Sequence, residues 1–132
     1  MIGNHDAHAK NFSLLYSGDT PVLAPLYDTL STAVYPGLTA RMAMKIGSKY
    51  IFNEIQARHW GQFAEAAGLA KAQTRKRILA LAKLLPTAAR TLYSEPERGF
   101  SGSAVIERIV DLIEHRCTLT IRRLTEPVAD RE

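Results

Sequence analysis

Seven apolar residues, Ile106, Ile109, Val110, Ile113, Cys117, Ile121 and Leu124, recur at the three- and four-residue spacing of a single helix face. The helix they define ends at Pro127 and runs about 33 Å over its roughly 22 residues. A stripe that long has to be buried, so the chain must supply a helical partner for it. Two candidates lie upstream. Ala57 to Ala67 carries Trp60, Phe63, Ala64 and Ala67 at helical spacing, and Gly68 sits where a C-terminal cap belongs. A second helix is expected from about Ala72 to Tyr93, with Ile78, Leu81, Ala82, Leu85 and Leu92 on its apolar side. Pro86 lacks a backbone donor and is expected to kink or split it. Ser94 to Gly99 reads as a connecting loop, after which Ser101 or Ser103 can cap the last helix. Trp60, Phe63 and Tyr93 are expected in the core, and Cys117, lying in the stripe, is expected to be a buried, unreactive thiol.

The remaining composition narrows the class. At 132 residues with 46% hydrophobic and 23% charged residues, the chain has the size and balance of one globular domain. A single cysteine excludes an internal disulfide framework, and no Cys-x-x-Cys pair is present for a structural zinc. No apolar run has the length of a membrane span. Met1 to Asp6 lacks the basic flank and apolar core of a signal peptide. A soluble, cytoplasmic protein is therefore expected. The net charge of +4 does not by itself imply nucleic acid. Its one local concentration, Lys71, Arg75, Lys76, Arg77 and Lys83, reads as a solvated helix face, and direct nucleic-acid binding is not expected.

The turn residues and the candidate chemistry gather before residue 50. Phe12 to Tyr16 suits a strand, Ser17 to Pro21 a turn, and Val22 to Ala24 a returning strand limited by Pro25. Pro36-Gly37 is a break, and Arg41 to Gly47 reads as a short strand or an extended segment. Around this hairpin lie Asn4-His5-Asp6-Ala7-His8-Ala9-Lys10-Asn11 and, after it, Asp28. Two chemistries compete on residue types alone. His5, His8 and a carboxylate could hold zinc or iron. Alternatively, Asp6-x-x-x-x-Asn11 has the spacing of a kinase catalytic loop, in which the Asp accepts the proton of the attacking hydroxyl and the Asn ligates magnesium. A second Asp further along, here Asp28, would then bridge magnesium to the nucleotide phosphates.

The full strings Gly3-Asn4-His5-Asp6-Ala7-His8-Ala9-Lys10-Asn11-Phe12-Ser13 and Leu23-Ala24-Pro25-Leu26-Tyr27-Asp28-Thr29-Leu30-Ser31-Thr32 closely resemble the HipA family. These are bacterial serine/threonine kinases, best known as toxins of HipA–HipB toxin–antitoxin pairs. Met44-Lys45-Ile46-Gly47, His59-Trp60 and Ala67-Gly68-Leu69 resemble the family's helical C-terminal part, so the likeness covers about residues 1 to 125. It implies a mainly α fold: a helical, C-lobe-like subdomain of a protein-kinase-like fold, with a small N-terminal β-hairpin carrying the catalytic motifs. By the same resemblance Asp6 matches the catalytic base, Asn11 and Asp28 the magnesium ligands of an ATP site, and Lys10 or His8 the group that neutralises the transferring phosphate. His8 is also expected to support the loop by hydrogen bonding, and His5 to be exposed.

The resemblance implies a single domain over 1–132, with the catalytic loop and metal-binding hairpin in 1–32, a helical region in 33–126 and a frayed tail in 127–132. It further implies, as partners, a HipB-like antitoxin or a separate N-lobe chain, and as substrate an aminoacyl-tRNA synthetase. The family's N-terminal lobe carries a phosphate-covering loop and a lysine for the nucleotide. Asp6 is the sixth residue here, and the eight glycines form no Gly-x-Gly-x-x-Gly. The chain alone is therefore expected to be a very weak catalyst, with apolar surface open to self-association or a partner. The alternative expectation is a non-catalytic helical module that engages an antitoxin-like repressor or an N-lobe partner.

Overall fold

The computed structural model describes residues 1–126, and the tail expected over 127–132 lies outside the described residues. Two β-hairpins precede three helices. Strands β1 (Leu14–Ser17) and β2 (Thr20–Leu23) pair antiparallel from Leu14 opposite Leu23 to Ser17 opposite Thr20. The expected hairpin is thus present, with its strands shifted toward a two-residue Gly18-Asp19 turn. All eight strand residues are exposed. Strands β3 (Arg41–Ile46) and β4 (Lys49–Ile51) form a separate sheet. Its turn rests on the first helix, because a Cβ at Gly47 would lie 2.6 Å from the carbonyl oxygen of His59. Only glycine permits both that approach and the positive φ of 60°.

The helices are α1 (Ala57–Ala66), α2 (Lys71–Ser94) and α3 (Ala104–Thr125). Helix α1 starts at Gln56, whose N–H donates to Nδ1 of the buried His59 at 2.8 Å. It ends as the sequence implies: Gly68 is left-handed, and the Leu69 N–H returns to the Ala64 carbonyl at 2.8 Å. Helix α2 is continuous through Pro86, so of the expected kink or split, the split does not occur. The lost hydrogen bond and ring clash cost about 3 kcal/mol. Leu85 and Ala89, on either side of the proline, both pack against the core between α2 and α3, and that burial holds the helix together.

The core centres on Ala82, Ile113 and Cys117, with Met1, Ile2, Leu85, Ala89, Ile109 and Ile121 packed around it. The α3 stripe faces inward as the periodicity requires. On α2 the inward positions are Thr74, Ile78 and Ala82, while Leu81 and Leu92 are exposed. Trp60 and Tyr93 are half-buried, and Phe63 is exposed, edge-on to Trp60 with ring centroids 6.3 Å apart. Helical spacing places these aromatics in the core, which is built instead from smaller side chains, with Phe52 its buried aromatic. Ser103 occupies the N-cap of α3 without a side-chain cap bond, and Ser101 donates to the Tyr93 carbonyl at 3.0 Å instead. Cys117 is fully buried, and burial raises its thiol pKa.

Candidate functional site

The site is a loop, Gly3 to Asn11, clasped to the segment Tyr27 to Ala33 across the β1–β2 hairpin. Gly3 anchors the clasp. Its carbonyl accepts the Thr32 and Ala33 amides, both at 3.0 Å, and the Thr32 hydroxyl at 3.2 Å. At its φ of 88° a Cβ would come within 2.7 Å of Leu112 Cδ2 on α3. The loop therefore lies directly on the helical body. Asn4 then bridges both halves: Nδ2 donates to the Asp28 carbonyl at 2.9 Å, and Oδ1 accepts the Asp6 amide at 3.0 Å. The second bond is an Asx turn, in which the asparagine side-chain oxygen accepts the amide two residues on.

Asn11 and Asp28, far apart in sequence, meet directly, with Asn11 Nδ2 donating to Asp28 Oδ2 at 2.9 Å. Asn11 Oδ1 accepts the His8 amide at 2.9 Å, which closes the short turn Ala9–Asn11. Asp28 is the one described non-glycine residue at positive φ, 56°. A non-glycine side chain held there is a strained conformation, and such strain concentrates at functional sites. Tyr27 fixes the other edge, its hydroxyl donating to the Lys10 carbonyl at 2.6 Å with Ser13 Oγ at 3.1 Å. Asp6 and Lys10 are exposed.

The two histidines depart from expectation. His5 is buried rather than exposed. Its Nδ1 lies 2.9 Å from the Thr39 carbonyl and its Nε2 3.0 Å from Arg116 Nη2, so neither nitrogen is free for a metal. Among the described residues no group of three His, Cys, Asp or Glu converges on a possible metal position. The zinc reading therefore lacks its ligand set. His8 supports the loop through its backbone amide, and its buried Nδ1 has no hydrogen-bond partner among the described residues. Beside the loop a cavity of about 360 Å³ is lined by Asn4, His8, Phe12, Met44, Phe52 and Arg116, among others.

The sequence reading missed Asn4, Tyr27 and Arg116. Asn4 was legible as an Asx-turn residue. Arg116 carries a weaker signal, since a charged residue three positions after Ile113 falls on the inward stripe. Burial lowers the Arg116 pKa, and the guanidinium carbon sits 4.6 Å over the Phe52 ring. His59 is also perturbed: burial, followed by the cations Arg58, Lys49 and Arg123, lowers its pKa.

A family model described as the HipA-like C-terminal domain matches residues 1–89. The chain is 39% identical over 119 residues to the putative kinase Y4mE of Sinorhizobium fredii, covering 90% of this chain and 28% of that protein. It is 28% identical over 88 residues to the serine/threonine-protein kinase toxin HipA of Shewanella oneidensis, covering 67% of this chain and 20% of that protein. A solved Shewanella oneidensis complex of HipA, HipB and operator DNA has a chain that superposes with a TM-score of 0.80 at 23% identity, over 99% of this chain and 31% of that one. The chain thus spans less than a third of the length of these relatives. No described helix is long and apolar enough to cross a membrane. Fold, motif strings and family model agree: this chain belongs to the HipA-like C-terminal domain family.

Proposed function

We propose that the loop Gly3–Asn11 with Asp28 is the catalytic loop and metal site of a HipA-like serine/threonine kinase, transferring the γ-phosphoryl group of ATP to a protein hydroxyl. The observation that carries this reading is the Asn11–Asp28 hydrogen bond, which closes the Asp6-x-x-x-x-Asn11 loop onto a second carboxylate. The donor set fits magnesium. Asp28 offers carboxylate oxygens and Asn11 an amide oxygen, which here accepts the His8 amide while Nδ2 meets Asp28, and that ion completes its shell with water and phosphate oxygens. Asn11 and Asp28 would hold it, and the bound ion would supply charge neutralisation on the phosphates. Asp6 accepts the proton of the attacking hydroxyl. Its position follows from the Asn4 side chain, which holds the Asp6 amide and the Asp28 carbonyl together. Lys10, exposed beside the Tyr27 clasp, supplies mobile positive charge for the transferred group, and His8 is the second candidate for that role.

The test is a chimera carrying residues 1–126 in place of the matching segment of Y4mE. A folded chimera should incorporate phosphate from magnesium–ATP, and Asp6→Ala should lower the rate by about 10²- to 10⁴-fold, the usual contribution of a positioned base. A cooperatively melting chimera without Asp6-dependent transfer refutes the reading.

A second reading, a module engaging an antitoxin-like repressor, is favoured by the charge of α2. That helix has six cations and no acid in its 24 residues. Lys71 pairs with Glu65, and Arg90 with Asp111 and Glu114. Lys76, Arg77 and Lys83 have no ion-pair partner among the described residues, which leaves a basic face. The solved relative was captured with HipB and operator DNA, and the same kind of assembly is the one this face would serve.

A further inference from the structure

We infer that Arg116 is a positioning residue: from the middle of α3 it fixes the His5 ring in one tautomer and so sets the path of the backbone that carries Asp6. Its consequence for catalysis rests on the reading of Gly3–Asn11 as a catalytic loop, but the geometry stands without it. His5 and Arg116 are each 8% exposed and lie 111 residues apart in sequence. The Thr39 carbonyl can only accept, so His5 Nδ1 must carry the proton. The Arg116 guanidinium can only donate, so Nε2 must present its lone pair. Both contacts select the same neutral form of the ring.

The backbone of His5 is held as firmly. Its N–H donates to Thr32 Oγ1 at 3.0 Å, and its carbonyl accepts the Ala43 amide at 2.7 Å. Of these four hydrogen bonds, the one to Arg116 reaches the helical body. The others connect His5 to Thr32, Thr39 and Ala43, all in the segment that follows Asp28. Arg116 thus ties the candidate catalytic loop to α3 at the residue directly before Asp6.

The arrangement is energetically demanding. Among the described residues no carboxylate pairs with Arg116, and its charge faces His5 and the Phe52 ring. Burying a cation without a counter-ion is costly, and an apolar side chain of similar volume avoids that cost. What an apolar side chain cannot do is donate to Nε2. The loop therefore depends on a specific hydrogen bond that simple filling of the space does not replace.

The test is NMR on the isotopically labelled 132-residue chain, using long-range histidine ¹H–¹⁵N correlations and amide hydrogen exchange. The wild type should show His5 as the Nδ1–H tautomer alone. Arg116→Met should raise the Nε2–H population above about a tenth. It should also speed exchange at the Asp6 amide at least tenfold more than at Ile113, whose rate reports the helical core. Arg116→Lys, which keeps a donor, should retain the single tautomer. A wild-type ring in the Nε2–H form overturns the inference. So does an Arg116→Met chain that keeps a pure Nδ1–H ring with exchange rising equally at Asp6 and Ile113, since that is the signature of a merely structural residue. Where Arg116→Met does not fold, a mixed tautomer in Arg116→Lys decides against the inference and a single one supports it. None of these readouts requires phosphoryl transfer, so an inactive chimera would refute the kinase reading and leave this inference standing.

Discussion

Gly3→Ala isolates the contact that seats the candidate catalytic loop on the helices. Two costs arise from the one added methyl group. At a φ of 88° a residue with a Cβ is disfavoured by about 1–2 kcal/mol. The methyl would also stand 2.7 Å from Leu112 Cδ2, 3.0 Å from Ala33 Cβ and 3.1 Å from Ser31 Oγ. Forcing an extra methyl group into a packed site costs about 1–3 kcal/mol more. The sum, about 2–5 kcal/mol, is a large share of the about 5–15 kcal/mol that holds a typical domain folded. Urea denaturation followed by circular dichroism reads it. With a slope of about 1–3 kcal/mol per molar, the midpoint should fall by about 1 M or more. Gly18→Ala is the control, because Gly18 has a φ of 75° with nothing within 4 Å of the added carbon. It should carry the conformational cost alone. Combining Gly3→Ala with Leu112→Ala should recover part of the steric share, seen as a favourable coupling in the double-mutant cycle. If Gly3→Ala costs no more than Gly18→Ala, or Leu112→Ala recovers nothing, the loop is not wedged against α3.

His59 makes stability depend on pH. Its folded pKa is depressed by burial and by neighbouring cations, and its Nδ1 must stay unprotonated to accept the Gln56 amide. The unfolded chain therefore binds the proton more readily, so stability is intact above the ordinary histidine pKa of about 6.5 and declines as pH falls below it. Denaturation midpoints from pH 8 to 5 should show that decline, and His59→Gln should reduce it without abolishing it, because the Met1 amine, lowered from 8.0 to about 6 by burial and Arg116, also loses stability as pH falls. Cys117, fully buried with its thiol pKa raised, should react with a thiol reagent only at the rate of global unfolding. Prompt modification of the native chain would contradict its burial.

Periodicity made α3 legible because its stripe packs on α2, with Met1 and Ile2 closing over it, so spacing and burial coincide. On α2 the same reasoning placed Leu81 and Leu92 inward, yet both are exposed, since a two-helix contact is narrower than the apolar face the sequence offers. Strand β4, at three residues, is too short to display alternation, and its existence depends on the Gly47 turn packing against α1. The aromatic positions misled for a related reason: Trp60 and Phe63 have helical spacing, but the inward positions are the one just before Trp60 and the one just after Phe63, taken by His59 and Ala64. At the candidate site, the paired residues Asn11 and Asp28 were legible from their strings. The ties of Asn4 to Asp28 and of His5 to Arg116 were not, because a hydrogen bond across 24 or 111 residues leaves no mark in local spacing.

The β1–β2 ribbon, exposed on both faces, stands with its two feet at Asn11 and Asp28, the pair proposed to hold magnesium. A free two-stranded ribbon is only marginally stable in water. Its opening would let the feet separate, and its ordering would bring them together. If Asn11 and Asp28 hold magnesium as proposed, any surface that seats on the ribbon would tighten ion binding at its base. By thermodynamic reciprocity, ion binding would then tighten the seat by the same factor. The ribbon would in this sense be a lever, through which whatever covers it and whatever binds beneath it read each other's presence.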